Sequence, residues 1–197
     1  MTNGQPQPIP MQPQKRDTVY INLFGEINPQ KVGQVMNVCT AVIGQYSPKT
    51  LYFIFSSNGG DVSSGITLYN FLKSLPVKAV MHNIGSIDSI ATVIFVAGAE
   101  RYAVENSSFL FHGVGVNLQQ GATLNLAAVQ EIDSRLSTDQ DKIAGIIASQ
   151  TKMTKEEMEG LFKKGESKML TFAKDKGVIQ EVRECKVPDG EVLISIS

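Results

Sequence analysis

Three short segments of the sequence hold residue types that could do chemistry: SSNGGDV (Ser56–Val62), GSIDSIA (Gly85–Ala91) and SSFLFHG (Ser107–Gly113). Ser89 stands at a turn feeding an apolar helix. There its hydroxyl lies near orphan backbone N–H groups and the positive end of the helix dipole. A hydroxyl so placed can attack a carbonyl while those donors hold the negative oxygen of a tetrahedral intermediate. The same position also suits an ordinary N-cap, and serine caps are abundant. His112 follows the apolar run Phe109-Leu110-Phe111 and precedes Gly113. Imidazole is the usual base for a serine hydroxyl, although a histidine held by one structural hydrogen bond fits this place as well. Gly59 and Gly60 let a backbone N–H approach a substrate closely, or supply a positive-φ turn, and Asn58-Gly59 is a common turn dipeptide. His82 lies inside a strand-like run and reads as structural.

Composition narrows the chemistry. With 18 basic and 19 acidic residues the net charge is −1, so no global field favours nucleic acid or acidic lipid, and neither is an expected partner. The only histidines are His82 and His112, and the only cysteines, Cys39 and Cys185, are far apart. That is too little for a metal site, and no metal or other cofactor is expected. Cys39 sits in an apolar helical pattern and Cys185 among charges, as expected of free thiols in a reducing cytoplasm. The longest apolar stretch, Ile90 to Ala99, is too short to span a bilayer, and residues 1–16 lack the apolar stretch of a secretory signal. A cytoplasmic protein without membrane contact is the expectation.

Strands and helices must bring the three segments together. Residues 1–16, rich in Pro and Gln, are expected to form a flexible tail, and residues 17–197 a single α/β domain. A strand is expected at Thr18–Phe24, then a helix from about Pro29 to Gln45, where Val32, Val35, Met36, Cys39 and Val42 recur at spacings of three and four. Leu51–Phe55 reads as a strand buried in a parallel sheet. A helix carrying Ile66, Leu68, Tyr69, Phe71 and Leu72 follows, then a strand from Val77 to Ile84 and a turn over Gly85–Ser89 before a second apolar helix. Arg101–Val104 and Ser108–Phe111 are short strands. Strands and helices alternating at this spacing imply βαβ units. The interrupted stripe Leu124, Ala128, Ile132, Leu136, Ile143 and Ile147 predicts a projecting helical handle over about 121–150. Thr154-Lys155-Glu156-Glu157 opens another helix with a capping box, and Glu191–Ile196 reads as a terminal strand.

In order and spacing, Ser57-Asn58-Gly59-Gly60, Gly85-Ser86-Ile87-Asp88-Ser89 and Phe109-Leu110-Phe111-His112 resemble the proteolytic subunit of the Clp protease. The likeness runs from Val19 to about Val182 and includes the stretch Ala97–Ser107 between the second and third motifs. It implies a ClpP/crotonase-like α/β fold of repeated βαβ units with a projecting helical region. It also implies a serine endopeptidase acting on peptides or unfolded proteins through an acyl-enzyme, with no metal, in a homo-oligomeric ring. Ser89 would be the nucleophile, His112 the general base, and the N–H groups of Gly60 and Ile90 the oxyanion hole.

The chain departs from that pattern in three places. The resemblance asks for an aspartate near Gly165, Glu166 or Ser167, and none occurs there. Glu166 is the expected third member, orienting the imidazole, and is equally well placed to be a solvated surface charge. Asp88 replaces a small residue beside the nucleophile, where it either opposes the oxyanion or faces solvent. A Pro/Gln tail takes the place of an axial loop and first helix, which leaves an ATPase partner undecided. Two other functions stay open: a catalytically silent ring subunit, and a crotonase-fold protein holding an acyl-CoA thioester.

Overall fold

The chain alternates residues that must be buried with residues that need not be, and the sheet follows from that alternation. In β1 (Thr18–Phe24), Val19, Ile21 and Leu23 are fully buried on one face. The helix α1 (Pro29–Tyr46) then buries Val32, Val35, Cys39 and Val42. Asn28 caps it, accepting from Lys31 N–H at 2.8 Å, with proline in its first turn. β2 (Thr50–Ser57) sends Leu51, Phe53 and Phe55 to the same core. α2 (Val62–Ser74) starts at Asp61, whose carboxylate accepts from Ser64 N–H at 2.7 Å. β3 (Lys78–Asp88), α3 (Ala91–Phe95), β4 (Glu100–Ala103) and β5 (Ser108–Leu110) complete the part of the sheet nearest the three motifs. After them come α4 (Leu126–Gln150), α5 (Lys155–Lys164), β6 (Ser167–Lys168), α6 (Leu170–Asp175), β7 (Glu181–Val182) and β8 (Val192–Ile196). This computed structural model describes residues 15–118, 121 and 123–196.

The eight strands form one sheet in the order β6-β5-β3-β2-β1-β8, with β4 beside β3 and β7 beside β4. Every pairing is parallel except that of β5 with β6. This is the mixed, mostly parallel α/β architecture that the strand–helix alternation implies. Of the tail expected over 1–16, residues 1–14 lie outside the described residues. Arg16 already belongs to the fold, its backbone N–H donating to Tyr46 O at 3.1 Å and its guanidinium to Gly190 O at 3.2 Å.

The turn expected over Gly85–Ser89 is instead a bulged continuation of β3. Phe55 pairs with Asn83 but Ser57 with Ile87, so two residues of β2 span four of β3. Side chains fill the gap in the ladder. Ser56 Oγ accepts from Ser86 N–H and donates to Ser86 O, both at 3.2 Å, and Asn83 Oδ1 accepts from Gly85 N–H at 2.9 Å. The bulge lets β3 change neighbour, pairing with β4 over Val80–Asn83 and with β5 over Ser86–Asp88. The reversal itself is confined to Ser89 and Ile90.

The handle begins as helix at Leu126, later than the expected boundary near 121. Asn125 caps it, accepting from Ala128 N–H at 2.9 Å. Only its C-terminal part packs, through Ile143, Ala144 and Ile147, while Leu126 is 74% exposed and Val129 46%. Arg101, buried at 6% exposure, anchors the packed end. Its guanidinium donates to Val178 O (2.8 Å), Gly98 O (2.9 Å), Gln150 O (2.9 Å) and Gly177 O (3.0 Å). These carbonyls close α3, α4 and α6, so one cation meets the negative ends of three helices.

Candidate active site

Ser89 leaves β3 at φ 56°, in the left-handed region. That conformation costs a non-glycine residue about 1–2 kcal/mol. Ser47 also has positive φ, but it closes α1, where a left-handed residue is ordinary. Ser89 lies instead between a strand and a helix, and its backbone is over-determined. Its N–H donates to Leu110 O at 2.8 Å, and its carbonyl accepts from Thr92 N–H at 3.0 Å and from Thr92 Oγ1 at 2.7 Å. Strain held in this way persists because the surroundings leave no alternative.

The glycine loop is pressed onto this turn. A Cβ on Gly59 (φ 92°) would stand 2.7 Å from Ser89 Cβ and 2.8 Å from Asp88 O. One on Gly60 would meet Ile27 O at 2.1 Å. The loop is fixed by Ile27 N–H donating to Gly59 O at 2.8 Å and Asp61 N–H donating to Ile27 O at 2.7 Å. Both glycines are therefore required for close approach, beyond any role in the turn. Among the described residues, neither Gly60 N–H nor Ile90 N–H donates to another protein group. The Ile90 side chain packs on α2 at Gly65, whose Cβ would lie 2.2 Å from Ile90 Cγ1.

His112 follows β5, past buried Phe111, and is exposed. Its Nδ1–H donates to Gly113 O at 2.8 Å, so in the neutral ring it is Nε2 that carries the lone pair. Gly113 N–H donates in turn to Phe162 O at 3.2 Å, so α5 holds the histidine's loop. Ser89, His112, Gly60 and Ile90 all line one cavity of about 290 Å³, walled by Val62, Phe111, Ile143 and Phe162 with Asn58 and Asn117 at its polar side. No hydrogen bond joins the Ser89 and His112 side chains among the described residues. The structure thus brings four of the five sequence-predicted residues to one hollow.

The fifth is elsewhere. Glu166 is exposed, its carboxylate accepts from Lys168 Nζ at 2.8 Å, and that bond holds its carboxyl below the usual range. In the β5–β6 pairing Leu110 faces Ser167, which brings the chain past His112, with Gly165 so close that its Cβ would stand 3.8 Å from His112 Cβ. Glu166 and Lys168 are two apart on an extended segment and so meet each other. No hydrogen bond links Glu166 to His112.

Asp88, the last residue of β3, lies opposite Leu110 and is half-buried, outside the cavity wall that includes Ser89 and Ile90. Burial pushes its carboxyl above the usual range, opposed by hydrogen bonding to Ser86 and to the Leu110 backbone and by the nearby His112. The Ser86 hydroxyl, 3.4 Å from Asn58 Oδ1, has one proton for two acceptors. Thr92 is a site residue that motif reading misses; its only signal is a hydroxyl three residues after Ser89, in the first turn of α3. His82 is buried in the sheet, as a structural histidine should be. Among the described residues, no group of three or more His, Cys, Asp or Glu is disposed to hold a metal ion, and no helix is long and apolar enough to cross a membrane.

A sequence model of the family described as Clp protease matches residues 14–186. The chain is 26% identical over 118 residues to an ATP-dependent Clp protease proteolytic subunit of Ligilactobacillus salivarius, covering 58% of this chain and 60% of that one. To proteolytic subunit 2 of Pseudomonas aeruginosa it is 26% identical over 112 residues, 56% of this chain and 55% of the other. To proteolytic subunit 2 of Treponema denticola it is 24% identical over 98 residues, 49% of each. The chain thus spans about half to three-fifths of the length of the curated relatives it matches. Among solved structures, a point mutant of ClpP1 from Listeria monocytogenes superposes with a TM-score of 0.72 at 19% identity, over 86% of this chain and 92% of that one, a likeness of fold.

Proposed function

The chain belongs to the Clp protease family, and from that premise we propose that it is a serine peptidase with Ser89 as nucleophile and His112 as general base. The single observation that carries this reading is the strained Ser89 turn (φ 56°), sharing one cavity with His112, Gly60 and Ile90. Because Nδ1–H is committed to Gly113 O, Nε2 is the nitrogen available to take a proton. Ser89 Oγ attacks the carbonyl carbon of a peptide bond as its proton passes to His112 Nε2. The carbonyl oxygen, now negative, is held by the Gly60 and Ile90 N–H groups. Collapse breaks the C–N bond, the amine leaves with the proton from Nε2, and an ester to Ser89 remains. Water, deprotonated by the same nitrogen, hydrolyses that ester.

The substrate on this reading is a peptide or unfolded protein, and the working unit a homo-oligomeric ring. The exposed Leu126 and Val129 at the unpacked start of the handle support self-association, because apolar residues so bare seek cover. The relatives' names carry "ATP-dependent"; for this chain an ATPase partner is left open. A second reading, a silent ring subunit, is favoured by one observation: no carboxylate is hydrogen-bonded to His112 among the described residues.

A fluorophosphonate probe separates the two. Labelling that disappears in both Ser89→Ala and His112→Ala supports the peptidase. Labelling that survives Ser89→Ala, or is absent from the parent chain, overturns it. A sizing column tests the ring independently, and elution as a monomer contradicts it.

A further inference from the structure

The missing partner of His112 points back to the strand that carries the nucleophile. Parallel register sets Asp88 of β3 opposite Leu110 of β5, and paired residues in neighbouring strands share a face of the sheet. The inside–outside alternation continues past the end of β5. Phe109 and Phe111 are buried at 0% and 1%, Leu110 is half-buried and His112 exposed. His112, two residues after Leu110, therefore returns to the face that carries Asp88. Ser86, two before Asp88 and opposite Ser108, lies on that face too.

The other charged groups near the imidazole are already occupied or outlying. From β6 and the residue before it, Lys168 and Glu166 neutralise each other at 2.8 Å. Lys164, at the end of α5, lies near enough to Glu166 to act on its charge. From α4 the neighbour at Gly113 is the neutral Gln140, whose Oε1 would stand 3.0 Å from a Cβ there. Among the described residues Asp88 makes no direct ion pair with Lys, Arg or His112, so its charge is not neutralised and acts on a cation formed on His112 across a longer gap. The Ser86 hydroxyl and the Leu110 backbone help the half-buried carboxylate stay charged.

We propose that Asp88 is the positioning carboxylate of this site, stabilising across space the imidazolium that forms when His112 takes the Ser89 proton, while Gly113 O sets the ring's tautomer. The proposal rests on the Ser89–His112 reading and assigns to the residue beside the nucleophile the electrostatic part of a third triad member. It also accounts for a carboxylate next to a developing oxyanion: Asp88 lies on the sheet face shared with His112 and outside the cavity wall.

The test uses diethyl pyrocarbonate, which modifies neutral imidazole, with carbethoxylation of His112 followed by peptide mass from about pH 5 to 8. Asp88→Asn is expected to move the midpoint of the profile to lower pH by about half a unit or more, the size of a charge interaction screened across several ångströms of water. Asp88→Ala should move it equally, Asp88→Glu should restore it, and Glu166→Gln should move it less. In parallel, the acid limb of fluorophosphonate labelling at Ser89 should shift in the same direction in Asp88→Asn. An unmoved carbethoxylation profile with labelling intact overturns the role of Asp88 and leaves the peptidase standing, as does a larger shift in Glu166→Gln. A parent chain that shows no labelling overturns both.

Discussion

Gly59 and Ser89 are in such close contact that a single methyl group cannot be placed between them: a Cβ on the glycine would stand 2.7 Å from the Ser89 Cβ. Gly59→Ala must therefore displace either Ser89 or the loop that carries Gly60. A reacting atom misplaced by about 1 Å costs about a hundredfold in rate, and fluorophosphonate labelling of Ser89 should slow by that order. Gly25→Ala is the control. Its φ is also near +90° but nothing lies within 4 Å of the added carbon. It should lose about 1 kcal/mol of stability while labelling proceeds at the parent rate. Equal slowing in the two variants would show that backbone strain, not the contact with Ser89, is responsible.

Arg101 gives a prediction about stability. Its guanidinium is buried and bonded to four carbonyls, so Arg101→Met removes the charge and leaves those acceptors without donors. The loss should be about 3–5 kcal/mol in urea unfolding. Arg101→Lys keeps a cation but has three donors on one nitrogen, and should fall between the two. A Met variant within about 1 kcal/mol of the parent would mean that the helix ends find other partners.

The two thiols should differ in reactivity. Cys39 is fully buried in α1, and burial pushes its thiol up to about 12. Cys185 is half-buried, with burial raising its thiol and Arg183 opposing the rise. A thiolate-selective disulfide reagent at neutral pH should modify Cys185 in the folded protein and Cys39 only on unfolding. Equal rates at the two positions would contradict the burial of Cys39.

What the sequence reveals and what it conceals have physical reasons. The helix expected over Pro29–Gln45 is found as α1 over Pro29–Tyr46, because one apolar face repeats for several turns and Asn28 and Pro29 mark its start. Ser89, His112 and the paired glycines stand out because each falls where a strand meets a loop, and the structure gathers them. The relation of Asp88 to His112 is not legible. It depends on the β3–β5 register, which follows from the bulge that Ser56 and Asn83 stabilise. Gly85 signals a turn by type, yet the strand continues through it. Arg101 reads only as a strand residue, since its acceptors, on Gly98, Gln150, Gly177 and Val178, lie up to 77 positions away.

His82 makes the fold sensitive to acid by a route distinct from the candidate site. It is fully buried, with Nε2–H donating to Arg183 O at 3.1 Å and Nδ1 accepting from the Tyr52 hydroxyl at 2.7 Å. Burial holds its pKa below the usual value, opposed by the hydrogen bond to the Arg183 carbonyl and reinforced to a lesser degree by the Arg183 charge. The unfolded chain therefore takes up this proton at a higher pH than the folded one. Stability from His82 is complete above its unfolded pKa of about 6.5 and is lost as pH falls from there toward the lower folded value, by at most about 1.4 kcal/mol per pH unit. His82→Gln can donate to Arg183 O and accept from Tyr52 without titrating. At pH 7.5 it should be less stable than the parent by about 1–2 kcal/mol, and the gap should narrow as the buffer is taken to pH 5. Urea midpoints measured across that range decide the matter. A gap that stays constant would mean that His82 is not the titrating group. A narrowing gap would place the acid-sensitive contact between β3 and Tyr52 of β2, because a proton on Nδ1 removes the acceptor that Tyr52 now uses while Nε2–H keeps Arg183 O.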